Sequence, residues 1–410
     1  MRWRKQIEAF LALIRCGLLV VSSACATEPV DDDPSISEPA TIETFAGANN
    51  ATPGYADGSL ADARFNMPEG LVLDGTGDAL YVADSLNHTI RKIDLSGGVV
   101  STVAGVGTKR GTSDTESWAQ PALLNVPRNL ALSPDGETLY FTDTGNFVIR
   151  ALDLASGAVS TRWGLAGQPG AIDGIGSEAR FGAGSFEPWG GGIVIDASGE
   201  VMYVADSANQ IIRAIQLESD EVTTIAGTNK TVGALDGPAE AALFNKPSGI
   251  ALVGRTLYIA EANNIDVRAL DLDTKTVTTV AGRAPADPAQ FCESVSLVIP
   301  EECGDVDAAM GTDARFRFPF GVSVGPDDSL FIVDSHNNLV RRFDTKTTAV
   351  GTSAGSQLTV LDDIPRPSTD SSPGAAGTFS HPTHAVFAPP DLLYVADRSA
   401  NCIRLATMDQ

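Results

Sequence analysis

The sequence is poor in basic residues. Its 410 residues include 28 Lys and Arg against 52 Asp and Glu, which gives a formal net charge of −24 at pH 7. Proteins that bind nucleic acid present a basic surface, because contacts to phosphate supply most of the affinity. The charge balance therefore argues against a nucleic-acid partner. It favours a soluble, extracytoplasmic surface without naming a ligand.

Cysteine is also scarce, with five residues and no C-x-x-C pair, which excludes the usual redox and zinc motifs. Cys292 and Cys303 bracket the longest insertion, at about residues 283–310. In an oxidising compartment this spacing predicts a disulfide, which would contribute roughly 3 kcal/mol by restricting the unfolded chain. Two free thiols are the alternative. Cys402 falls in a predicted strand and is interpreted as a small buried apolar residue.

Long hydrophobic runs are absent. The apolar segment at residues 10–21 is interrupted by Arg15 and is too short for a membrane span. With the basic residues ahead of it, it predicts an export signal over residues 1–26. Residues 22–25 (SSAC) resemble a bacterial lipobox and predict lipidation of Cys25, whereas Ala24 to Ala26 also fits an ordinary signal-peptidase site.

Residues 27–40 are acidic and rich in proline, which predicts a disordered linker. We therefore expect an extracytoplasmic protein, lipid-anchored to a bacterial outer membrane. A secreted or periplasmic protein is the alternative. The membrane would be contacted through the lipid alone.

A repeated segment dominates the rest of the chain. Residues 81–94 (YVADSLNHTIRKID) share a frame of aromatic, two apolar or small residues, acid, Asn, a β-branched residue and Arg. The frame returns at five later positions, and its six copies begin at Tyr81, Tyr140, Tyr203, Tyr258, Phe331 and Tyr394. A period of this kind makes a repeat architecture the first hypothesis.

Each copy predicts two strands joined by a tight turn, with a further apolar strand upstream and one downstream. The downstream strand ends in Ala-Gly at Gly105, Gly227 and Gly282, with looser versions at Gly167 and Gly355. Four antiparallel strands repeated six times predict an all-β, six-bladed β-propeller over residues 41–410. The last copy lacks its fourth strand. Residues 42–47 (IETFAG) match that strand, so we expect the N-terminal strand to close the last blade.

The repeated Tyr, Asp, Asn and Arg, followed by a strand ending in Ala-Gly, resemble the NHL-repeat family of propellers. They also resemble the wider group of gluconolactonase-like and streptogramin-lyase-like propellers. The resemblance covers nearly all of residues 41–408 and implies the propeller fold. It leaves function open, because the family includes enzymes, RNA binders, sensor domains and proteins without known activity.

The repeated charged residues are interpreted as structural, because a role that recurs six times around a ring most economically fixes each blade. We expect ion pairs and turn caps between the acids and the arginines of each copy. The acids are Asp84, Asp143, Asp206, Glu261, Asp334 and Asp397, and the arginines are Arg91, Arg150, Arg213, Arg268, Arg341 and Arg404. The Asp-Gly pairs at Asp57, Asp173 and Asp236 lack the ligand spacing of calcium loops and are interpreted as turns.

Residues that differ between the six copies are the candidates for a functional site. A loop of the form A-x-F-x-x-P-x-G precedes each innermost strand, and its residues around the proline should form one mouth of the central channel. They differ between blades and predict a ligand site, with an ordinary polar rim as the alternative. The predicted site residues are Glu69, Arg128, Glu187, Trp189, Phe320 and His381.

In gluconolactonase-like propellers a Glu near the start of an inner strand binds a catalytic divalent cation. Glu69 resembles that placement, and Asn129 could be a second ligand for a cation such as calcium, although no matching Asp stands out. We therefore expect a non-catalytic, monomeric scaffold without a resident cofactor. It would bind a protein, glycan or small-molecule ligand at one face. The alternative is a metal-dependent lyase or lactonase with its site at the channel mouth.

Overall fold

The computed structural model describes residues 39–48, 52–183, 191–285, 303–356, 368–371 and 377–408. The predicted signal segment, the Cys25 lipidation site and nearly all of the linker lie outside these residues, as do Glu187, Trp189 and Cys292. The described chain forms six antiparallel sheets, five built from consecutive strands and one that joins the first strand to the last three. The prediction of an all-β, six-bladed propeller is confirmed.

Each blade contributes one innermost strand to the channel wall, followed by two middle strands. The innermost strands are Pro68–Leu73, Pro127–Leu132, Ile193–Ile195, Pro247–Val253, Pro319–Val324 and Pro382–Ala388. The second strands are Ala79–Asp84, Thr138–Asp143, Val201–Asp206, Thr256–Glu261, Leu330–Asp334 and Leu392–Asp397. The third strands are Thr89–Asp94, Val148–Asp153, Ile211–Gln216, Asp266–Asp271, Leu339–Phe343 and Cys402–Met408.

The outer strands complete the blades. They are Val99–Gly105, Val159–Trp163, Glu221–Ala226, Thr276–Gly282, Val350–Ala354 and, for the sixth blade, Pro39–Ala46. The predicted four strands per blade hold for three sheets, whereas blades 1, 3 and 4 carry a two-residue fifth strand. These short strands are Gly58–Ser59, Gly174–Ile175 and Gly237–Pro238, and each directly follows one of the Asp-Gly aspartates.

The N-terminal strand closes the ring as predicted. Pro39–Ala46 pairs antiparallel with Cys402–Met408, with Thr41 opposite Thr407 and Thr44 opposite Arg404. The innermost strand of the sixth blade also packs against that of the first, as neighbouring inner strands do around the whole ring. First and last segments of the repeat region therefore share one sheet.

The apolar core is divided into six clusters, one at each contact between neighbouring blades. At the contact between blades 3 and 4, for example, Ile212 and Ala226 pack with Phe244, Leu257 and Val277. Alternation along each strand explains this division, because successive side chains point to opposite faces of a radial sheet. Each blade therefore needs two neighbours to bury its apolar residues, and closure completes the sixth contact.

Tight turns join the second and third strands. In four blades they are single 3-10 turns, Ser85–Asn87, Thr144–Asn146, Ser207–Asn209 and Ser335–Asn337. The next residue adopts the left-handed conformation in each of the four, as in His88 at φ +57°. Three further 3-10 turns are Gly176–Glu178, Gly311–Asp313 and Pro326–Asp328. No helix in the described parts of the chain is long and apolar enough to cross a membrane.

One strand end was predicted wrongly. The outer strand of blade 2 ends at Trp163, and Gly164 rather than Gly167 follows it. Gly164 has φ +93°, close to +90° at Gly105 and +97° at Gly355. A left-handed glycine thus follows or ends this outer strand as in the other blades, and the extra residues up to Gly167 belong to the connection.

The two described cysteines differ in environment. Cys402 is completely buried in its strand, as predicted, and burial raises the pKa of its thiol. Cys303 lies in an extended segment that pairs with Phe316. Its predicted partner Cys292 is outside the described residues, so the disulfide stays a prediction.

Candidate functional site

The strand register gives the propeller two distinct ends. In blade 1, Pro68 pairs with Asp84, Asp84 with Thr89, and Thr89 with Gly105. The start of the innermost strand and the turn at residues 85–88 therefore lie at the same end, which we call the proline end. The loops between first and second strands in all six blades, and between third and outer strands in blades 1 to 5, lie at the opposite end, which we call the hairpin end.

A buried charge cluster fixes each blade close to the proline end. In blade 1, Arg91 Nη1 donates to Asp84 Oδ2 at 2.8 Å, and Nη2 donates to Asp57 Oδ1 at 2.6 Å. Asn87 Nδ2 donates to the same Asp84 oxygen at 2.8 Å. The guanidinium carbon lies 5.1 Å from the ring centroid of Phe65. The Arg is thus held between two carboxylates and an aromatic ring.

The same cluster recurs around the ring, which confirms the structural interpretation of the repeated charges. The inner pairs in the next four blades are Arg150–Asp143, Arg213–Asp206, Arg268–Glu261 and Arg341–Asp334. A second, half-exposed acid was not predicted as an ion-pair partner. Those acids are Asp114, Asp173, Asp236, Asp307 and, in blade 6, Asp370 with Arg404.

Burial dominates the electrostatics of the inner acids. It raises the pKa values of Asp84, Asp143 and Asp206 to about 6, against the opposing charge of the neighbouring Arg. For Asp334 and Asp397 burial raises the pKa to about 7. These carboxyl groups therefore titrate close to neutral pH, although none of them is exposed to solvent.

Blade 4 departs from this pattern. It carries Glu261 in place of Asp, and a second buried acid, Asp266, in its third strand. Burial, reinforced by the charge of Glu261, raises the pKa of Asp266 well above its ordinary value. Glu261 differs from Asp266 in its partner, because it accepts a hydrogen bond from Arg268 Nη1 at 2.7 Å.

Hydrogen bonds between blades fix the loops ahead of the inner prolines. The residue before the proline is left-handed in Met67, Val126, Lys246, Phe318 and His381. Four of their N–H groups donate to a side chain from the turn of the preceding blade. The acceptors are Asn401 for Met67, His88 for Val126, Gln210 for Lys246 and Asn338 for His381. For Phe318 of blade 5, the corresponding residue in the turn of blade 4 is Ile265, whose side chain has no acceptor atom.

Neighbouring inner strands lie in close contact at a set of glycines, and we call this level the neck of the channel. Equivalent positions on the six inner strands are occupied by Gly70, Asn129, Gly192, Gly249, Gly321 and His384. A Cβ atom on Gly249 would lie 2.5 Å from the carbonyl oxygen of Phe320. Only glycine allows this approach, so four of the six neck positions have no side chain.

His384 is the histidine at the neck. Burial lowers its pKa to about 4, so the imidazole is neutral at pH 7. Its ring lies beside Gly321 of the neighbouring blade. Its Nδ1 atom has no hydrogen-bond partner within the described part of the chain.

Glu69 lies at the mouth between two arginines from neighbouring blades. Its Oε2 is 3.2 Å from Arg128 Nε, and its Oε1 is 3.2 Å from Arg398 Nε. The Glu69 side chain is 4% exposed, whereas that of Arg398 is 34% exposed. The carboxylate is therefore compensated by guanidinium groups, which would repel a cation.

This pairing argues against the predicted cation site at Glu69 and Asn129. Within the described ranges, no three His, Cys, Asp or Glu side chains form a group that could hold a metal ion. The backbone N–H of Asn129 donates to Thr142 Oγ1 at 3.1 Å. The cation site at Glu69 and Asn129 therefore stays a prediction, and the described residues add no third ligand to it.

Half-buried rings form a continuous cluster on blades 5 and 6. Phe318 stacks on His336 at a centroid distance of 4.5 Å and on Phe320 at 6.0 Å. His336 meets His381 edge-on at 5.3 Å. Lys246 from blade 4 places its Nζ 5.2 Å from the Phe318 ring centroid. We call these five residues the ring cluster.

The structure brings together four of the six predicted ligand-site residues. Glu69, Arg128, Phe320 and His381 all lie at the proline end, whereas Glu187 and Trp189 lie outside the described residues. Phe318, His336 and Arg398 were missed. Phe318 precedes a proline just as His381 does, so the same sequence pattern could have placed it at the mouth. The other two sit in turns between middle strands, and only the register shows that these turns reach the mouth.

Comparison with protein families and relatives agrees with the fold. Residues 65–93 match the NHL repeat model. The chain is 27% identical over 299 residues to Protein SUPPRESSOR OF QUENCHING 1 of Arabidopsis thaliana, covering 71% of this chain and 26% of that protein. It is 26% identical over 320 residues to human NHL repeat-containing protein 2, covering 73% of this chain and 42% of that protein. The chain thus spans well under half the length of these curated relatives.

A solved structure is similar over most of the propeller. An auxiliary nutrient binding protein from Bacteroides thetaiotaomicron superposes with a TM-score of 0.62 over 90% of this chain and 76% of that one. The sequence identity is 16%. At this identity the likeness concerns the fold alone.

Proposed function

Because the chain belongs to the NHL-repeat β-propellers, we propose that it is a non-catalytic scaffold that binds a ligand at the proline end of its channel. One observation carries the proposal. The residues that repeat in every blade lie in buried clusters. The residues that differ between blades form a half-exposed surface at the proline end. Phe318, Phe320, His336 and His381 supply that surface with ring faces and polar atoms, as small-molecule sites require.

The state of two ionisable side chains at this end fits a binding role. The half-buried His384 has a lowered pKa and is neutral at pH 7, and Glu69 is held by two arginines. The name of the similar nutrient-binding propeller is compatible with a binding role. The rigid inter-blade bonds to Lys246 and His381 would preorganise the surface for a ligand.

A thermal-shift panel tests this proposal. The full chain is melted with neutral and acidic sugars, nucleosides and aromatic acids, alongside Phe318→Leu and Phe320→Leu. We expect ligands that raise the melting temperature of the native chain but not of these variants. Trp118→Leu is the matched control, because Trp118 is an exposed aromatic residue that bonds to Ala155 at the hairpin end.

Two results would overturn the proposal. One is a set of ligands whose effect is unchanged in both phenylalanine variants. The other is chemical conversion of a bound ligand during incubation, detected by mass spectrometry, which would replace the scaffold with an enzyme. Adding calcium, zinc or manganese to the same panel tests the metal-dependent alternative, which requires a rise in melting temperature that Glu69→Gln abolishes.

We further propose that the chain is exported and anchored through Cys25. The support is the sequence of residues 22–25 together with the basic and apolar segment ahead of it. Expression in a bacterial host with labelled palmitate should give a labelled, membrane-associated protein. Cys25→Ser should remove the label and release the protein. A labelled Cys25→Ser variant, or an unlabelled native chain, would contradict the anchor.

A further inference from the structure

The hairpin loops at one end of the propeller and the rim of the channel mouth at the other carry opposite charge. The eleven hairpin loops at the hairpin end contain thirteen acidic and three basic residues. The acidic residues there are Asp74, Asp78, Asp135, Glu137, Asp196, Glu200, Glu218, Asp220, Asp273, Asp327, Asp328, Asp344 and Asp391. Several of these residues are exposed, so this end contributes much of the negative surface charge.

The rim of the channel mouth at the proline end has the reverse balance. We define the mouth rim as residues 66–69, 125–128, 245–248, 317–320 and 380–383 with the six turns between second and third strands. This described rim holds one acid, Glu69, against Arg128, Lys246, Arg317 and Arg398, and it also holds three of the four histidines. Counting Glu187, which lies outside the described residues, still leaves the rim with an excess of cations.

From this charge reversal and the ring cluster we infer that the ligand is a small anion with a flat apolar face. The inference rests on the proposed function and names the class of ligand for the same site. A stacked ring would lie against Phe318 or Phe320, and its carboxylate, sulfate or phosphate group would be attracted by the ammonium of Lys246 and the guanidinium of Arg398. Lys246 already lies against the Phe318 ring, and Arg398 belongs to the blade that carries His381.

The rest of the molecule selects for a small ligand over a polyanion. A net charge of −24 repels a long nucleic acid or polyanionic glycan that extends beyond the rim. A small anion experiences mainly the rim, because charges farther away than about 10 Å are screened at ordinary salt. The site is therefore an electropositive mouth on an acidic protein.

Two dyes that differ by one charged group test the inference. The probes are 8-anilinonaphthalene-1-sulfonate and N-phenyl-1-naphthylamine, which share their rings and differ in the sulfonate. Fluorescence titrations of the full chain should show the sulfonate dye binding about tenfold more tightly, and added salt should remove most of that difference. Lys246→Gln should weaken the sulfonate dye about five- to tenfold and leave the neutral dye unchanged.

Matched variants locate the binding. Lys275→Gln removes an exposed charge at the hairpin end and should change neither dye. Phe318→Leu should weaken both dyes, since both use the ring face. Circular dichroism and melting temperatures establish that each variant is folded, and Phe320→Leu replaces Phe318→Leu should the latter fail to fold.

The outcomes separate this inference from the proposed function. If both dyes bind equally and both are weakened by Phe318→Leu, the mouth remains a ligand site and the preference for anions is overturned. If neither Lys246→Gln nor Phe318→Leu changes the sulfonate dye, the inferred site is overturned, and the ligand panel decides the scaffold proposal independently. Tight, salt-sensitive binding of a single-stranded oligonucleotide that displaces the dye would overturn the restriction to small ligands.

Discussion

Arg91 and Asp84 form an ion pair at 2.8 Å in which neither side chain is exposed to solvent. Asp84 comes from the second strand of blade 1 and Arg91 from the third, on either side of the turn at residues 85–88. Asn87 and the backbone N–H of Asn66 donate to the same carboxylate. Four later blades repeat an inner pair of this kind, so the fold depends on buried charges that are balanced locally.

Removing one partner of this pair should be strongly destabilising. Arg91→Met leaves Asp84 buried without a countercharge, and we expect the free energy of unfolding to fall by about 3–5 kcal/mol. Urea denaturation followed by circular dichroism measures the change. In the double variant Arg91→Met/Asp84→Asn the buried charge is absent, and part of the loss should be recovered.

The outer acid supplies the control. Asp57 binds the same guanidinium but its side chain is 46% exposed, so Asp57→Asn should lower the free energy of unfolding by only about 1 kcal/mol. Equal losses for Arg91→Met and Asp57→Asn would show that the buried pair has no special role.

The repeated inner pairs were readable from the sequence, and the outer acids were not recognised. The reason lies in spacing. The inner acid precedes its Arg by seven residues in every blade, because two short strands and one turn fix the distance. The outer acid lies in an irregular connection and precedes its Arg by 32 residues in blade 4 and 40 in blade 3. The Asp-Gly sequence is typical of a turn, and only the recurrence of the acid at Asp57, Asp173 and Asp236 indicates a repeated partner.

The candidate site was predictable only in part. The loop ahead of each inner proline identified Glu69 and His381, since an innermost strand must begin at one mouth of the channel. The pairing of Glu69 with Arg398 joins residues that are 329 positions apart, and it exists only because the ring closes. No local pattern carries that information, which is why the sequence left a cation site open as an alternative where the structure places two arginines.

The neck glycines make a second prediction about stability. Gly249→Ala places a Cβ atom 2.5 Å from Phe320 O and 2.6 Å from Val322 N, both backbone atoms of the next inner strand. The strands must separate to accept it, and we expect a loss of about 1–3 kcal/mol by chemical denaturation. Gly75→Ala is the control, because no atom lies within 4 Å of the point that its new methyl group would occupy, and its loop is exposed. If Gly249→Ala leaves the free energy of unfolding unchanged, the inner strands can separate at little cost.

The closing strand makes a third prediction. Deleting residues 39–46 leaves the strand Cys402–Met408 without its outer neighbour and exposes Ile403 and Ala406, which are now buried. An open strand edge invites pairing with another chain. We expect a lower melting temperature and higher-order species in size-exclusion chromatography. Deleting residues 28–35 removes the same number of residues ahead of the strand and should leave both measurements unchanged. If the variant that lacks residues 39–46 stays monomeric with an unchanged melting temperature, ring closure adds little to stability.

The inner acids predict an unusual dependence of stability on pH. Their folded pKa values of about 6 to 7 lie above the ordinary value of 3.8 for Asp, so between pH 4 and 7 the folded chain binds more protons than the unfolded chain. The contribution of these acids to the free energy of unfolding is fully present below the ordinary pKa of Asp. It is lost as the pH rises through 6 to 7. The melting temperature should therefore rise from pH 7.5 to pH 5.5.

His384 acts in the opposite sense. Its pKa of about 4 lies below the ordinary value of 6.5, so its contribution is lost as the pH falls. Burial also lowers the pKa of His88, so two histidines oppose five aspartates, and the rise should prevail. Asp397→Asn removes one of the titrating groups and should reduce the rise. Asp135→Asn is its control, because hydrogen bonds lower the pKa of the exposed Asp135 and it stays ionised over this range. A melting temperature that falls between pH 7.5 and 5.5, or an Asp397→Asn variant with an unchanged rise, would show that these buried carboxyl groups remain ionised throughout.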